Sequence, residues 1–149
     1  RWVAVGDNTS GAGDDYGNIL YSSDGISWKQ TEVGASFASE GEGVAYSSEQ
    51  NRWVAVGRNV EGGGTSYGNI LYSSDGISWK QSKIGASFAS YGQGVAYSSE
   101  QNRWVAVGGA AGAGGAYRNI LYSSDGISWN QTSEFDPFNN TGYGVAFKN

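Results

Sequence analysis

NILYSSDGISWKQ, running from Asn18 to Gln30, returns unchanged from Asn69 to Gln81 and, with Asn130 in place of the lysine, from Asn119 to Gln131. Two strand-like runs, ILYS and ISWKQ, flank the dipeptide Asp24-Gly25, repeated as Asp75-Gly76 and Asp125-Gly126. An Asp-Gly pair between such runs is the two-residue signature of a tight hairpin, because both central positions accept positive φ. Working outward, RWVAVG opens at Arg1, Arg52 and Arg103, and GVAYSSEQN precedes the second and third copies from Gly43 and Gly94. GVAF begins once more at Gly144. One supersecondary unit of about 51 residues has therefore been copied three times, and function belongs to the unit and to the way units meet.

Each unit reads as four short strands: GVAYS, RWVAVG, NILYSS and ISWKQ. The polar SEQN turn joins the first two, and a Gly-rich loop of about ten residues joins the second to the third. No segment holds a helical apolar period, and Gly, Ser and Asn are too dense for helices, so the chain is all-β. WVAV and ILY are continuously apolar, which places neighbours on both of their faces; a half-exposed barrel strand would alternate with polar residues. Stacked blades provide that environment.

The hairpin residues resemble the Asp-box, or BNR, repeat of sialidases, sortilin-type receptors and photosystem II assembly factors, whose pattern is Ser-x-Asp-x-Gly-x-Thr-Trp. The matching residues are Ser22, Asp24, Gly25, Ser27 and Trp28, then Ser73, Asp75, Gly76, Ser78 and Trp79, then Ser123, Asp125, Gly126, Ser128 and Trp129. All three copies lack one residue between Asp and Gly. The resemblance covers the whole chain and implies a β-propeller of three four-stranded blades, with the Asp box as a structural turn on the rim. Approximate blade units are 1–42, completed by a strand at 143–149, then 43–93 and 94–142. Three blades are too few for a ring of the usual four to eight, so the expectation is a six-bladed homodimer. A β-trefoil and a fragment of a larger propeller are the alternatives.

The chain has 149 residues, a mass of 15.7 kDa, a formal charge of −5, and no Cys, His or Met. That composition excludes disulfides, a thiol nucleophile, an imidazole base and an ordinary zinc site. The acidic balance without a Lys/Arg cluster argues against nucleic acid, and no apolar run approaches the ~20 residues of a membrane helix. No cofactor or metal is implied; Asp14-Asp15 in the first Gly-rich loop is the weak calcium candidate, with a solvated loop as the plain reading. A first residue of Arg1 and the lack of Met fit a processed product, an excised piece or an incompletely observed chain. A Gly/Ser/Asn-rich chain without Cys is compatible with a secreted or cell-surface protein.

The six tryptophans are expected in the core between blades, and Phe37, Phe88 and Phe138 as plugs at its ends. Arg1, Arg52 and Arg103 invite comparison with the sialidase arginine triad, yet they are symmetry copies near the SEQN turn, and ion pairs with Glu49 or Glu100 are expected instead. Ligand contact belongs on the opposite end, where the Gly-rich loops differ between copies. Tyr16, Tyr67 and Tyr117 close those loops; with Asn18, Asn69, Asn119, Tyr91 and Tyr143 they form the candidate binding set, suited to stacking on a sugar and hydrogen bonding its hydroxyls. The functional expectation is a non-catalytic, multivalent carbohydrate-binding propeller. Its alternatives are a protein docking scaffold or assembly factor, a designed repeat protein without a ligand, and a glycoside hydrolase. The hydrolase needs two carboxylates in distinct environments, drawn from Asp14, Asp15, Glu40, Glu42, Glu61, Glu134 and Asp136.

Overall fold

The computed structural model describes residues 1–7, 18–31, 33–37, 39–58, 69–82, 84–85, 88, 90–109, 119–133, 138 and 140–148. Thirteen strands and no helix occur among them: β1 (Trp2–Val5), β2 (Ile19–Ser22), β3 (Lys29–Gln30), β4 (Val33–Gly34), β5 (Gly41–Ser47), β6 (Arg52–Gly57), β7 (Ile70–Ser73), β8 (Ser78–Gln81), β9 (Ile84–Gly85), β10 (Gly92–Ser98), β11 (Arg103–Gly108), β12 (Ile120–Ser123) and β13 (Ser128–Gln131). They form three sheets and, among the described residues, no closed barrel.

The first sheet is the antiparallel ladder β1-β2-β3. In the second, β5-β6-β7-β8 form a four-stranded antiparallel meander, as β10-β11-β12-β13 do in the third. The two meanders share one register, with Tyr46 opposite Trp53 and Trp53 opposite Ser73 in one, and Tyr97 opposite Trp104 and Trp104 opposite Ser123 in the other. Each also carries a short strand that the sequence pattern did not separate from its connecting segment. After leaving the first sheet, the chain lays β4 parallel to β8 on the far edge of the second; β9 does the same to β13 of the third. The approach requires glycine: Gly34 and Gly85 have φ of +96° and +83°, and a Cβ there would sit 2.1 Å and 2.0 Å from the carbonyl oxygens of Trp79 and Trp129.

The continuously apolar strands are buried on both faces, as their composition demands. On β6, Val54 and Val56 belong to the core shared with the third sheet, whereas Ala55 between them belongs to the core shared with the first. The two cores use Phe37 and Phe88 as end plugs, both fully enclosed. The tryptophans split. Trp79, Trp104 and Trp129 are at most 1% exposed, but Trp28 is 41% and Trp2 61% exposed. The core expectation fails for those two because, among the described residues, no sheet packs against the outer side of the first one. Phe138 likewise is 47% exposed, with no further sheet to cover it.

The segment from Gly144 to Lys148, expected as a strand, pairs with no strand among the described residues of its own chain. It follows an isolated bridge between Gly109 and Thr141, which matches Asp7 with Glu40 and Arg58 with Tyr91 at the entrances to β5 and β10.

Candidate functional site

The sheets have two chemically different ends. At the hairpin end the three Ser-x-Asp-Gly turns are built identically. Ser22 Oγ donates to Asp24 Oδ1 at 2.8 Å and accepts from the Gly25 N–H at 2.8 Å, while Asp24 Oδ1 also accepts from the N–H groups of Ile26 and Ser27, each at 2.8 Å. The turns of Asp75 and Asp125 repeat every one of these bonds to within 0.1 Å. Bonds from the backbone of Ser27 and Ile26 and from Ser22 hold the Asp24 carboxyl down at about 2. At Asp75 burial works the other way, yet the N–H groups of Ser78 and Ile77 and the Ser73 hydroxyl prevail and its pKa is also about 2. Asp125 is lowered too, again against burial and by the corresponding bonds from Ser128, Ile127 and Ser123. These carboxylates are consumed by the turns they fix.

The neighbouring arginines do not form the expected ion pairs. Arg1, Arg52 and Arg103 instead lie over the rings of Tyr21, Tyr72 and Tyr122, with the guanidinium carbon 5.6–5.8 Å from the ring centre. The register explains this: Trp53 faces Ser73 and Val54 faces Tyr72, so Arg52 lies diagonally beside Tyr72, whereas Glu49 accepts from Ser47 Oγ across its own turn.

At the other end, where the Gly-rich loops leave, the copies diverge within the described residues themselves. The position directly after RWVAVG is Asp7, Arg58 or Gly109; the one directly before the inner strand is Glu40, Tyr91 or Thr141; two residues further on stand Glu42, Gln93 and Tyr143. The bridges set the first two positions side by side. In the middle of the set, Arg58 lies 4.7 Å over the Tyr91 ring and forms ion pairs with Glu40 through Nε at 3.4 Å and with Glu42 through Nη2 at 3.9 Å. The Arg58 N–H also donates to the Glu40 carbonyl at 2.7 Å. Tyr91 Oη lies 3.2 Å from Thr141 Oγ1, carrying the network from the second sheet into the segment that leaves the third. Burial, then the charge and hydrogen bond of Glu40, push the Glu42 carboxyl up, opposed by Arg58. This cluster joins an aromatic face, a guanidinium, two carboxylates and a hydroxyl.

Of the residues singled out from sequence, Tyr91 lies in this cluster, and Tyr143, two residues beyond Thr141 in the chain, is 76% exposed. Asn18, Asn69 and Asn119 are buried. Asn18 donates its side-chain amide to the Phe37 carbonyl, and Asn69 donates to that of Phe88 at 2.6 Å, so both act as struts under the end plugs rather than as surface donors. Tyr16, Tyr67 and Tyr117 lie outside the described residues, as do Asp14, Asp15, Glu61, Glu134 and Asp136. Arg58 was not singled out by sequence reasoning. The signal was available in the alignment of the three copies, where a cation replaces an acid and a glycine at one strand-end position.

No protein-family model matches the chain, and no curated protein or solved structure is significantly similar to it.

Proposed function

We propose that the chain is a non-catalytic binding module, an Asp-box β-propeller whose loop end receives a polar ligand of the carbohydrate class and whose ring is completed by a second copy. The observation that carries this reading is the contrast between ends: turns copied atom for atom at one, and chemistry changed at three equivalent positions at the other. A part-exposed guanidinium stacked on Tyr91, flanked by Glu40, Glu42 and the Thr141 hydroxyl, supplies paired donors and acceptors for vicinal hydroxyls. Because these residues occur at one junction of the chain, a ring of two copies presents the site twice. Two-fold presentation raises avidity without demanding a strong single site.

The same geometry disfavours hydrolysis. Glycosidases keep their carboxyls at least ~5 Å apart to admit the sugar carbon or a water between them. Glu40 and Glu42 are instead both engaged by one guanidinium, at 3.4 Å and 3.9 Å from Arg58, which leaves neither set apart as an acid or a base. A protein docking face is the second reading, favoured by the exposed Tyr143, two residues beyond Thr141 in the chain. The test is a glycan array at high protein density, run with the wild-type chain, Arg58→Ala and Tyr91→Ala. Binding to one sugar class that either substitution abolishes is the expected result. Absence of binding to every class, together with recovery of one stoichiometric partner from source extract, would replace the sugar with a protein.

A further inference from the structure

Two inter-sheet interfaces within the chain are the same interface. Between the first and second sheets, Val3, Val5, Ile19 and Phe37 meet Ala55, Leu71 and Trp79. Between the second and third, the residues at the same repeat positions do so again: Val54, Val56, Ile70 and Phe88 meet Ala106, Leu121 and Trp129. Both halves of a third such interface are present and open. On the third sheet the first half is Val105, Ile120 and Phe138, all part-exposed, beside Val107, which Gly142 already covers; on the first sheet the second half is Ala4, Leu20 and Trp28. Their burial records the vacancy: Leu20 and Ala4 are only partly buried where Leu71, Leu121, Ala55 and Ala106 are fully enclosed.

We infer that this third interface forms between two copies of the chain, with residues 142–148 of each entering the first sheet of the other as its missing strand. The inference rests on the propeller reading above and adds the contact surface and the register. The segment already occupies an inner-strand position. Gly142 N–H donates to the Gly108 carbonyl at 3.0 Å, as Gly41 N–H does to that of Gly6 at 3.0 Å. A Cβ on Gly94 would stand 3.1 Å from Gly144 Cα, as one on Gly43 would stand 3.2 Å from Gly94 Cα. What the segment lacks is the antiparallel neighbour that β5 finds in β6 and β10 in β11. β1 lacks the corresponding neighbour on its other side and offers an open edge.

Copying the β5–β6 register across chains sets Gly144 opposite Val5, Val145 opposite Ala4, Ala146 opposite Val3 and Phe147 opposite Trp2. The last pair would repeat the ring contacts of Tyr46 with Trp53 at 4.5 Å and Tyr97 with Trp104 at 4.8 Å. A groove lined by Tyr97, Gln101, Arg103, Val105 and the Val145–Phe147 run is then the seat of the partner's hairpin. Inside the chain the equivalent seat is filled: Gly126 of one hairpin lies against Arg52 and Val54, while Gln50 accepts from Trp104 Nε1 at 2.9 Å and donates to the Ser124 carbonyl at 2.8 Å. Gln101 is the copy of Gln50, and Trp2 Nε1 with the Ser23 carbonyl of a second copy are its matching partners. Two features differ. In sequence Phe135 takes the repeat position of Gly34 and Gly85, outside the described residues, so the junction is drawn without a parallel edge strand, and Lys148 falls opposite Arg1, a like-charge pair on an exposed edge. Two junctions related by a two-fold axis give six sheets, within the four to eight of known rings, whereas three sheets alone fall short.

The chain has no cysteine, so an introduced pair reports one contact. Val3→Cys with Ala146→Cys places two thiols across the inferred register; Val3→Cys with Val145→Cys is one residue out and turns them to opposite faces. Air oxidation of the in-register variant is expected to give a covalent species of about twice the 15.7 kDa chain and nothing larger, with little or none from the out-of-register variant. A ladder of larger species, equal cross-linking in both variants, or none in either would overturn the inference. The glycan screen is scored on the cross-linked ring: a ring that binds no sugar sinks the sugar reading alone, and sugar bound by a chain that never cross-links sinks this junction and the two-copy ring while leaving the sugar reading standing.

Discussion

The first and third sheets carry almost the same residues and live in different surroundings. Trp2 and Trp104 are both the second residue of RWVAVG; one is 61% exposed and the other wholly enclosed. Trp28 and Trp129 close identical hairpins, at 41% and 1% exposure. Nothing local distinguishes the members of each pair. The difference is made by the next sheet, so stability in this protein belongs to junctions between repeats, as expected where each unit cannot bury its apolar faces alone.

The largest effect that sharpens this comparison is at the tryptophans. Trp104→Ala should cost roughly 3–5 kcal/mol in denaturant unfolding, the range for emptying a large aromatic site. Trp2→Ala should barely change the stability of the monomeric chain, measured at a dilution where wild type is monomeric, yet abolish self-association. Equal losses of monomer stability would break the comparison.

Glycine gives the next test. A Cβ at Gly57 would stand 2.8 Å from the Phe37 ring and 2.2 Å from the Glu40 carbonyl oxygen, and one at Gly108 meets Phe88 and Tyr91 in the same way, but at Gly6 nothing lies within 4 Å. Gly57→Ala should therefore destabilise by about 1–3 kcal/mol through overpacking, and Gly6→Ala by only a few tenths in the isolated chain. In the assembled protein Gly6 would face Phe138 of the partner, so Gly6→Ala should weaken association, read by analytical ultracentrifugation.

Acid separates the two ends of one sheet with a smaller effect. The folded pKa of Asp75, about 2, lies below its ordinary 3.8, so its stabilising bonds are complete above about pH 4 and are lost as pH falls toward 2. Glu42 is raised above 4.5 in the fold, so folding is favoured by its protonated form and that contribution is lost as pH rises through the folded value. Thermal melts between pH 2 and 6 should show Asp75→Asn with a flatter acid limb than wild type. Glu42→Gln should show a steeper one, each change amounting to about 1 kcal/mol or less at these part-exposed sites. The same direction of change in both variants would contradict the assignment.

Much of this was legible in the sequence because it is local or periodic. The Asp-Gly turn, the four strands and the two-sided burial of WVAV follow from residues a few positions apart, and the repeat multiplies the signal. What escaped depends on register and neighbours. β4 and β9 were invisible because two residues carry no pattern; Gly34 and Gly85 at a fixed repeat position were the available hint. Arg52 stacks on Tyr72 rather than pairing with Glu49 because the ladder, not sequence distance, decides adjacency. Asn18 and Asn69 stand where loops meet strands and looked like ligand donors, yet the carbonyls of Phe37 and Phe88 pass directly over them. Glu40, Glu42 and Tyr91 were visible as departures from the repeat, but Arg58 joins them only after folding.

Native mass spectrometry of the unmodified chain tests the central claim, that the open faces of the first and third sheets are two halves of one junction. At micromolar concentration a species at about twice 15.7 kDa is expected, one that gives way to monomer only on dilution into the nanomolar range and is absent in Trp2→Ala. A chain that stays monomeric throughout that range, or one that forms an unbounded series of higher masses, would contradict it.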